Sequence, residues 1–161
     1  GYFVFNYCFY LRHVDFGESI EEIMYKAFDQ CRSLDSVILP ETVSRIGRYA
    51  FSNCVSLSHL ILPNSITSIG AYAFNECINL NTVTLPNNLT EIENAVFEYS
   101  GLSTITIPSG VTKIGVGAFY NENLISATIS ETVMEIGRYS FGSPLLDTVI
   151  CLGSQIGRAH V

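Results

Sequence analysis

The chain has 161 residues, of which 48% are hydrophobic and only 14% charged, and its formal net charge is −7. That length suits one domain and is short for two, and the apolar content excludes a disordered chain. No apolar run approaches the ~18 residues of a membrane-spanning helix, so no direct membrane insertion is expected, and the negative balance argues against nucleic acid and anionic lipid as partners.

From the N-terminus, the chain opens on an aromatic stretch that contains Val4-Phe5-Asn6-Tyr7-Cys8. This is a partial copy of a motif that recurs in full as Ala27-Phe28-Asp29-Gln30-Cys31, Ala50-Phe51-Ser52-Asn53-Cys54 and Ala73-Phe74-Asn75-Glu76-Cys77, 23 residues apart each time. Degenerate copies follow at Val96-Phe97, Ala118-Phe119 and Ser140-Phe141, at spacings of 22 or 23 residues. A second motif lies between them, cleanest in Leu57-Ser58-His59-Leu60-Ile61-Leu62-Pro63-Asn64-Ser65-Ile66-Thr67-Ser68-Ile69-Gly70. Repeats therefore begin at Leu11, Leu34, Leu57, Leu80, Leu102 and Leu124, with a partial repeat over residues 1–10 and a truncated one from Leu146. Residues 1–155 read as a single domain. Residues 156–161 fit no repeat position and read as a non-native, adapter-derived tail.

Each repeat carries its own structural instructions. Val37-Ile38-Leu39 alternates inward, outward, inward with β-favouring residues, and Pro40 ends the strand. Ile46-Gly47 marks a second short extended stretch, where the glycine implies a special backbone angle. Ala50-Phe51 is expected to open a short helical or 3₁₀ turn, the small alanine admitting the next coil while Phe51 plugs the core. In the third repeat Leu57, Leu60, Leu62, Ile66, Ile69, Ala73, Phe74 and Cys77 should face inward. Burial of each large side chain contributes roughly 1.5–3 kcal/mol, against about 1–2 kcal/mol to order each residue's backbone. One repeat cannot fold alone, so the copies must stack. With no polar capping repeat, both ends are expected to be open strand edges prone to aggregation.

The consensus Leu-x-x-Val-x-Leu-Pro-x-x-Val-x-x-Ile-Gly-x-x-Ala-Phe-x-x-Cys resembles the leucine-rich repeats of the BspA-like (Treponema-type) family over roughly residues 5–149. The resemblance implies a mainly-β, right-handed solenoid of 22–23-residue coils with short parallel strands and short helical or 3₁₀ turns. It also implies a non-catalytic protein-interaction module of a cell-surface or secreted protein, since some members adhere to host matrix proteins. Departures occur where Gly17, Ser130 and Leu152 replace the proline, Met24 and Glu93 the glycine, and Ser100 and Glu122 the cysteine. They should weaken individual turns without breaking the register.

Stacking turns repeat positions into columns, so a column is the natural unit of a site. Cys8, Cys31, Cys54 and Cys77 form one column. Zinc sites supply ligands in close pairs such as C-x-x-C, which are missing here. An inert buried ladder is expected, with no metal and no cofactor, and Cys151, in a leucine column, is expected in the core too. Glu22 beside Arg45, and Glu91, Lys113 and Glu135 in succession, form a charge ladder. The exposed first-strand positions carry Ser36, His59, Thr82, Thr104 and Ser126 in one column and Thr84, Thr106 and Thr128 in its neighbour. Threonine suits any exposed strand, yet the concave sheet is the usual docking surface in leucine-rich repeats, so these are the first ligand-binding candidates for a protein or glycan. Arg48, Tyr49 and Tyr72, beside the glycine turns, are the second, because tyrosine and arginine dominate binding hot spots. Tyrosine also shields strand edges and packs on neighbouring coils, and packing is the favoured reading of this set. Asn88-Leu89-Thr90 matches an N-glycosylation sequon. His13 and His59 lie two repeats apart, and no nucleophile is paired with either, so no catalytic set is expected. A spacer or stalk is the alternative, and a polysaccharide-active β-helix enzyme a weaker one.

Overall fold

The computed structural model describes residues 1–153, and the proposed tail lies outside the described residues. The chain winds into a parallel solenoid, its coils named below by their first leucine. Each coil can contribute two short strands. The first set comprises β2 (Ser36–Ile38), β4 (His59–Ile61), β7 (Thr104–Thr106), β9 (Ser126–Ile129) and β11 (Thr148–Cys151). The second comprises β1 (Glu22–Ile23), β3 (Arg45–Ile46), β5 (Ser68–Ile69), β6 (Glu91–Ile92), β8 (Lys113–Ile114) and β10 (Glu135–Ile136). All pairs are parallel and in the expected register, Ser36 opposite His59 and Thr104 opposite Ser126.

The core consists of the inward columns. Val37, Val43, Phe51, Cys54 and Leu57 are fully buried, whereas Ile38, at the end of β2 between the buried Val37 and Leu39, is exposed. A ladder of phenylalanine rings runs the whole stack. Consecutive rings from Phe28 to Phe119 lie 5.1–5.7 Å apart and within 7° of parallel, and Phe5 and Phe141 extend it at either end. Such offset stacking adds about 0.5–1.5 kcal/mol per pair beyond the area buried.

The Ala-Phe segments are not helical, contrary to the sequence expectation. Among the described residues no helix forms; each segment is a chain of β-turns. In the Leu34 coil, Ala50, Ser52 and Cys54 donate N–H bonds three residues back, to Gly47, Tyr49 and Phe51. The alternate residues Tyr49, Phe51 and Asn53 donate instead to Ala71, Ala73 and Asn75 of the next coil, at 3.1, 2.8 and 2.8 Å. A helix would turn every N–H along its own axis. Here left-handed residues, Tyr49 (φ 55°) and Asn53 (φ 58°), rotate every second N–H onto the neighbouring coil. The exchange of local for inter-coil bonds outweighs the roughly 1–2 kcal/mol cost of a left-handed L-residue.

The glycine before these turns also differs from expectation. Its role is close approach rather than an unusual angle: a Cβ at Gly47, Gly70, Gly115 or Gly137 would lie 2.5–2.7 Å from a backbone nitrogen of the preceding coil. Glu93 holds this position in the Leu80 coil, and there both strand ladders fail. Neither β4 and residues 82–84 nor β5 and β6 are paired. The N–H groups of Thr67 and Gly70 donate to Ser44 and Ile46 at 2.9 and 2.8 Å, but among the described residues no such bond links Thr90 or Glu93 to the Leu57 coil. The Glu93 carboxylate instead accepts the Ala71 N–H at 2.9 Å. Leu62 and Val83, at equivalents of buried positions, become only partly buried. Met24 makes the same glycine replacement without this effect, because no strand of the described chain precedes β1. Across the break the turn ladder persists, with Tyr72, Phe74 and Glu76 donating to Asn94, Val96 and Glu98.

Cys151 is exposed rather than in the core, because β11 is the last described strand and only the Leu124 coil covers it. Of the column expected to be buried, Cys31, Cys54 and Cys77 are, their thiols directed at the carbonyls of Phe5, Phe28 and Phe51 at 3.1–3.3 Å, whereas Cys8 in the first partial coil is half-buried. Burial pushes the Cys31 thiol up from 9.0 to about 12 and raises Cys54 and Cys77 as well. At pH 8 a thiol with that value is ionised in about one molecule in ten thousand. A thiol-disulfide reagent should therefore modify Cys151 first and reach Cys31, Cys54 and Cys77 only on unfolding; fast native labelling of the column would contradict this packing. Between 9.0 and about 12 the unfolded chain loses protons that the folded one keeps, so stability should fall as pH rises through that window.

Candidate functional site

The first-strand face presents the hydroxyl columns as expected in direction, though not as one continuous sheet. His59, Thr82, Thr84, Thr104 and Thr106 are exposed, and Ser36, Ser126 and Thr128 half-buried. Ser36, whose hydroxyl donates to the Asp35 carboxylate at 2.9 Å, lies with His59 on the two-stranded portion β2-β4. Thr104, Thr106, Ser126 and Thr128 lie on the three-stranded portion β11-β9-β7. Between the two runs the unpaired segment bearing Thr82 and Thr84. On its β7 side, Thr82, Thr84, Leu85, Asn87, Thr106 and Pro108 help line an open cleft of about 360 Å³. The face is thus hydroxyl-rich at its centre, with exposed Ile38, Ile61 and Ile150 toward its ends, a hydroxyl-lined cleft and backbone groups free of ladder pairing.

Arg48, Tyr49 and Tyr72 come together, but on the other side of each coil. The Arg48 guanidinium lies 5.8 Å from the Tyr49 ring centre, and the Tyr49 and Tyr72 rings stack at 4.8 Å and 4°. Their column runs Lys26, Tyr49, Tyr72, Ala95, Gly117, Tyr139 through successive coils. Two consecutive rings are therefore absent, and a slot of about 460 Å³ opens between Tyr72 and Tyr139 over a floor of Ala95 and Gly117. Tyr99, Tyr120 and Glu98 complete its walls. The Glu98 carboxylate faces this floor: one oxygen lies 3.6 Å from where a Cβ on Gly117 would sit. Burial, and then the charge of Glu76, push its carboxyl above the ordinary value. Its other oxygen is 3.4 Å from the Asn75 side-chain amide, and among the described residues no cation pairs with it.

Glu98, Ala95 and Gly117 escaped the sequence reading, which grouped Tyr49 and Tyr72 with residues of the adjoining column. The signal lay in the small residues of one aligned column, which mark where rings are missing.

The charge ladder forms as ion pairs in two places, Arg45–Glu22 and Lys113–Glu91, each at 3.3 Å. Both are well exposed, so each contributes little, about 0–1 kcal/mol. Glu135 pairs with Lys113 in strand register only. The sequon residue Asn88 lies in an exposed turn, its side-chain amide donating to the Asn64 carbonyl at 2.7 Å. Among the described residues, no group of three or more His, Cys, Asp or Glu side chains is arranged to hold a metal ion, and no helix is long and apolar enough to cross a membrane.

The family model of the BspA type leucine-rich repeat region matches residues 1–125 and 46–156, in six copies. A leucine-rich repeat protein of Treponema pallidum is 31% identical, with a TM-score of 0.67 over 79% of this chain and 67% of that one. The pneumococcal vaccine antigen PcpA superposes equally well, at 0.67 with 23% identity over 80% of this chain, but only 32% of its own length is matched. A leucine-rich cell surface protein of Faecalibacterium prausnitzii gives 0.50 at 23% identity, over 86% of this chain and 60% of that one. No curated protein matches the chain.

Proposed function

The chain belongs to the BspA-type leucine-rich repeat family, and from that premise we propose that it is a non-catalytic interaction module of a cell-surface or secreted protein, binding a protein or a glycan on its first-strand face. The observation that carries this reading is the open cleft beside the unpaired segment bearing Thr82 and Thr84. Small hydroxyl side chains there let a partner approach backbone donors and acceptors that the stack leaves unpaired, and unpaired strand edges are ready templates for association. A surface location is in keeping with the description of the Faecalibacterium neighbour as a cell surface protein. A spacer or stalk role is the second reading, favoured by the charge-poor strand face.

Exposing the surface-immobilised array to a panel of matrix glycoproteins and glycans, at two salt concentrations, tests the assignment. Saturable binding that is lost in the combined variant Thr84→Lys, Thr106→Lys, Thr128→Lys is the expected result. A folded array that binds nothing on the panel would put the spacer reading ahead, and binding that survives the triple variant would move recognition off this face.

A further inference from the structure

The slot between Tyr72 and Tyr139 lies apart from the strand face and shares none of its lining residues. We propose that it binds the cationic side chain of a lysine or arginine presented by a partner polypeptide. The proposal goes beyond the strand-face reading and stands or falls separately from it.

The chain's own repeats contain a filled version of this slot. In the Leu11 coil the ring position is held by Lys26. Its ammonium lies 5.2 Å from the centre of the Tyr49 ring in the next coil and 3.2 Å from the carboxylate of Asp29, three residues on. The equivalents in the Leu80 coil are Ala95 for Lys26 and Glu98 for Asp29. The carboxylate is therefore kept and the cation removed, with a tyrosine, Tyr72, now on the preceding coil. Elsewhere the acid is absent: Tyr49 goes with Ser52, Tyr72 with Asn75 and Tyr139 with Gly142, while the Leu102 coil carries Gly117 with Tyr120, so Glu98 is the one carboxylate these two columns place beside the missing rings.

The rings of the column already accept cations. Arg48 lies over Tyr49 and Arg138 over Tyr139, at 5.8 and 5.5 Å. One face of Tyr72 is covered by Tyr49, and its ring borders the slot. A cation entering beside it would meet the aromatic face and the Glu98 carboxylate together, as Lys26 meets Tyr49 and Asp29. Cation–π attraction is strongest when partly desolvated, and a carboxylate half withdrawn from water regains in a cation the partner it lacks. The net charge of −7 steers a basic partner toward the surface. A sugar ring could also stack on tyrosine, but would not use the uncompensated charge.

The test is an NMR titration of the intact chain, following the ring signals of Tyr72, Tyr99 and Tyr139. The probes are acetyl-Gly-Lys-Gly-amide, acetyl-Gly-Arg-Gly-amide, the norleucine tripeptide as a neutral control, and methyl glucoside. Saturable shifts with the two cationic peptides only are expected, weakened about tenfold or more by Glu98→Gln. Ala95→Lys should abolish them by filling the slot from within. That variant is compatible with folding, because Lys26 adopts at the equivalent position the same φ, 53°, as Ala95. No shift with either cationic peptide, equal shifts with norleucine, or shifts with methyl glucoside alone would each overturn the proposal. The lysine substitutions on the strand face should leave the titration unchanged, which separates its failure from failure of that reading.

Discussion

Phe74→Ala should destabilise the chain by about 3–5 kcal/mol, the range for deleting a fully buried aromatic side chain, and should split unfolding into two transitions. Phe74 is fully buried and stacks on Phe51 and Phe97, both at 5.4 Å. It stands at the joint between the Leu57 and Leu80 coils, where neither strand ladder is formed. In a stack, stability is approximately the sum of coil and interface contributions. Weakening this joint between two complete coils, held mainly by turns and rings, should therefore uncouple its two sides. Phe51→Ala removes the same ring from a joint where β3 and β5 are paired. It should cost a similar amount in a single transition. Urea denaturation followed by circular dichroism and by tyrosine fluorescence distinguishes the two: coincident curves for Phe74→Ala would contradict the account.

The second large effect belongs to Gly70. An added Cβ would sit 2.6 Å from the Arg48 nitrogen and 2.9 Å from the Gly47 carbonyl carbon. Backbone atoms cannot yield as a flexible side-chain tip can, so Gly70→Ala should cost roughly 1–3 kcal/mol, the usual penalty of overpacking. It should also begin to separate β3 from β5, reproducing in the Leu57 coil what Glu93 does in the next. Glu93→Gly is the converse. It forfeits the carboxylate bond to Ala71 but admits the Leu80 coil to ladder distance, and Leu62 and Val83 should then become buried. Thermal unfolding of both variants gives the signs, with Gly70→Ala lowering the midpoint.

The inward columns and strand registers were legible because each depends on one side chain's size and polarity, repeated every 22 or 23 residues. Leu57, Ile66, Ile69, Ala73, Phe74 and Cys77 were all read as inward and are buried. The turn conformation was less accessible. Ala-Phe-x-x-Cys has a spacing a helical turn could satisfy, and the deciding bonds, such as Phe51 N–H to Ala73, join residues 22 apart in sequence. The left-handed residues are Tyr49, Asn53, Tyr72 and Glu76 rather than glycines, so composition gave no warning. The consequence of Glu93 was half legible. It was visible as a departure expected to leave the register intact, and the turn ladder does keep register; the loss of strand pairing follows only from knowing how near the glycine backbones approach. The slot is a similar case, since Ala95 and Gly117 look ordinary until set in one column between Tyr72 and Tyr139.

Replacements in a regular stack thus interrupt the strand ladders between the Leu57 and Leu80 coils and open the slot between Tyr72 and Tyr139. Amide hydrogen exchange, read residue by residue in the native chain, tests this most directly. Thr90 and Glu93 should exchange far faster than Thr67 and Gly70, their equivalents one coil earlier, while Phe74 and Glu76 stay protected, and Glu93→Gly should slow Thr90 to the rate of Thr67. Equal protection of Thr90 and Thr67 in the unaltered chain would mean an unbroken joint between the Leu57 and Leu80 coils, and Glu93 could then not be the origin of a break in strand pairing there.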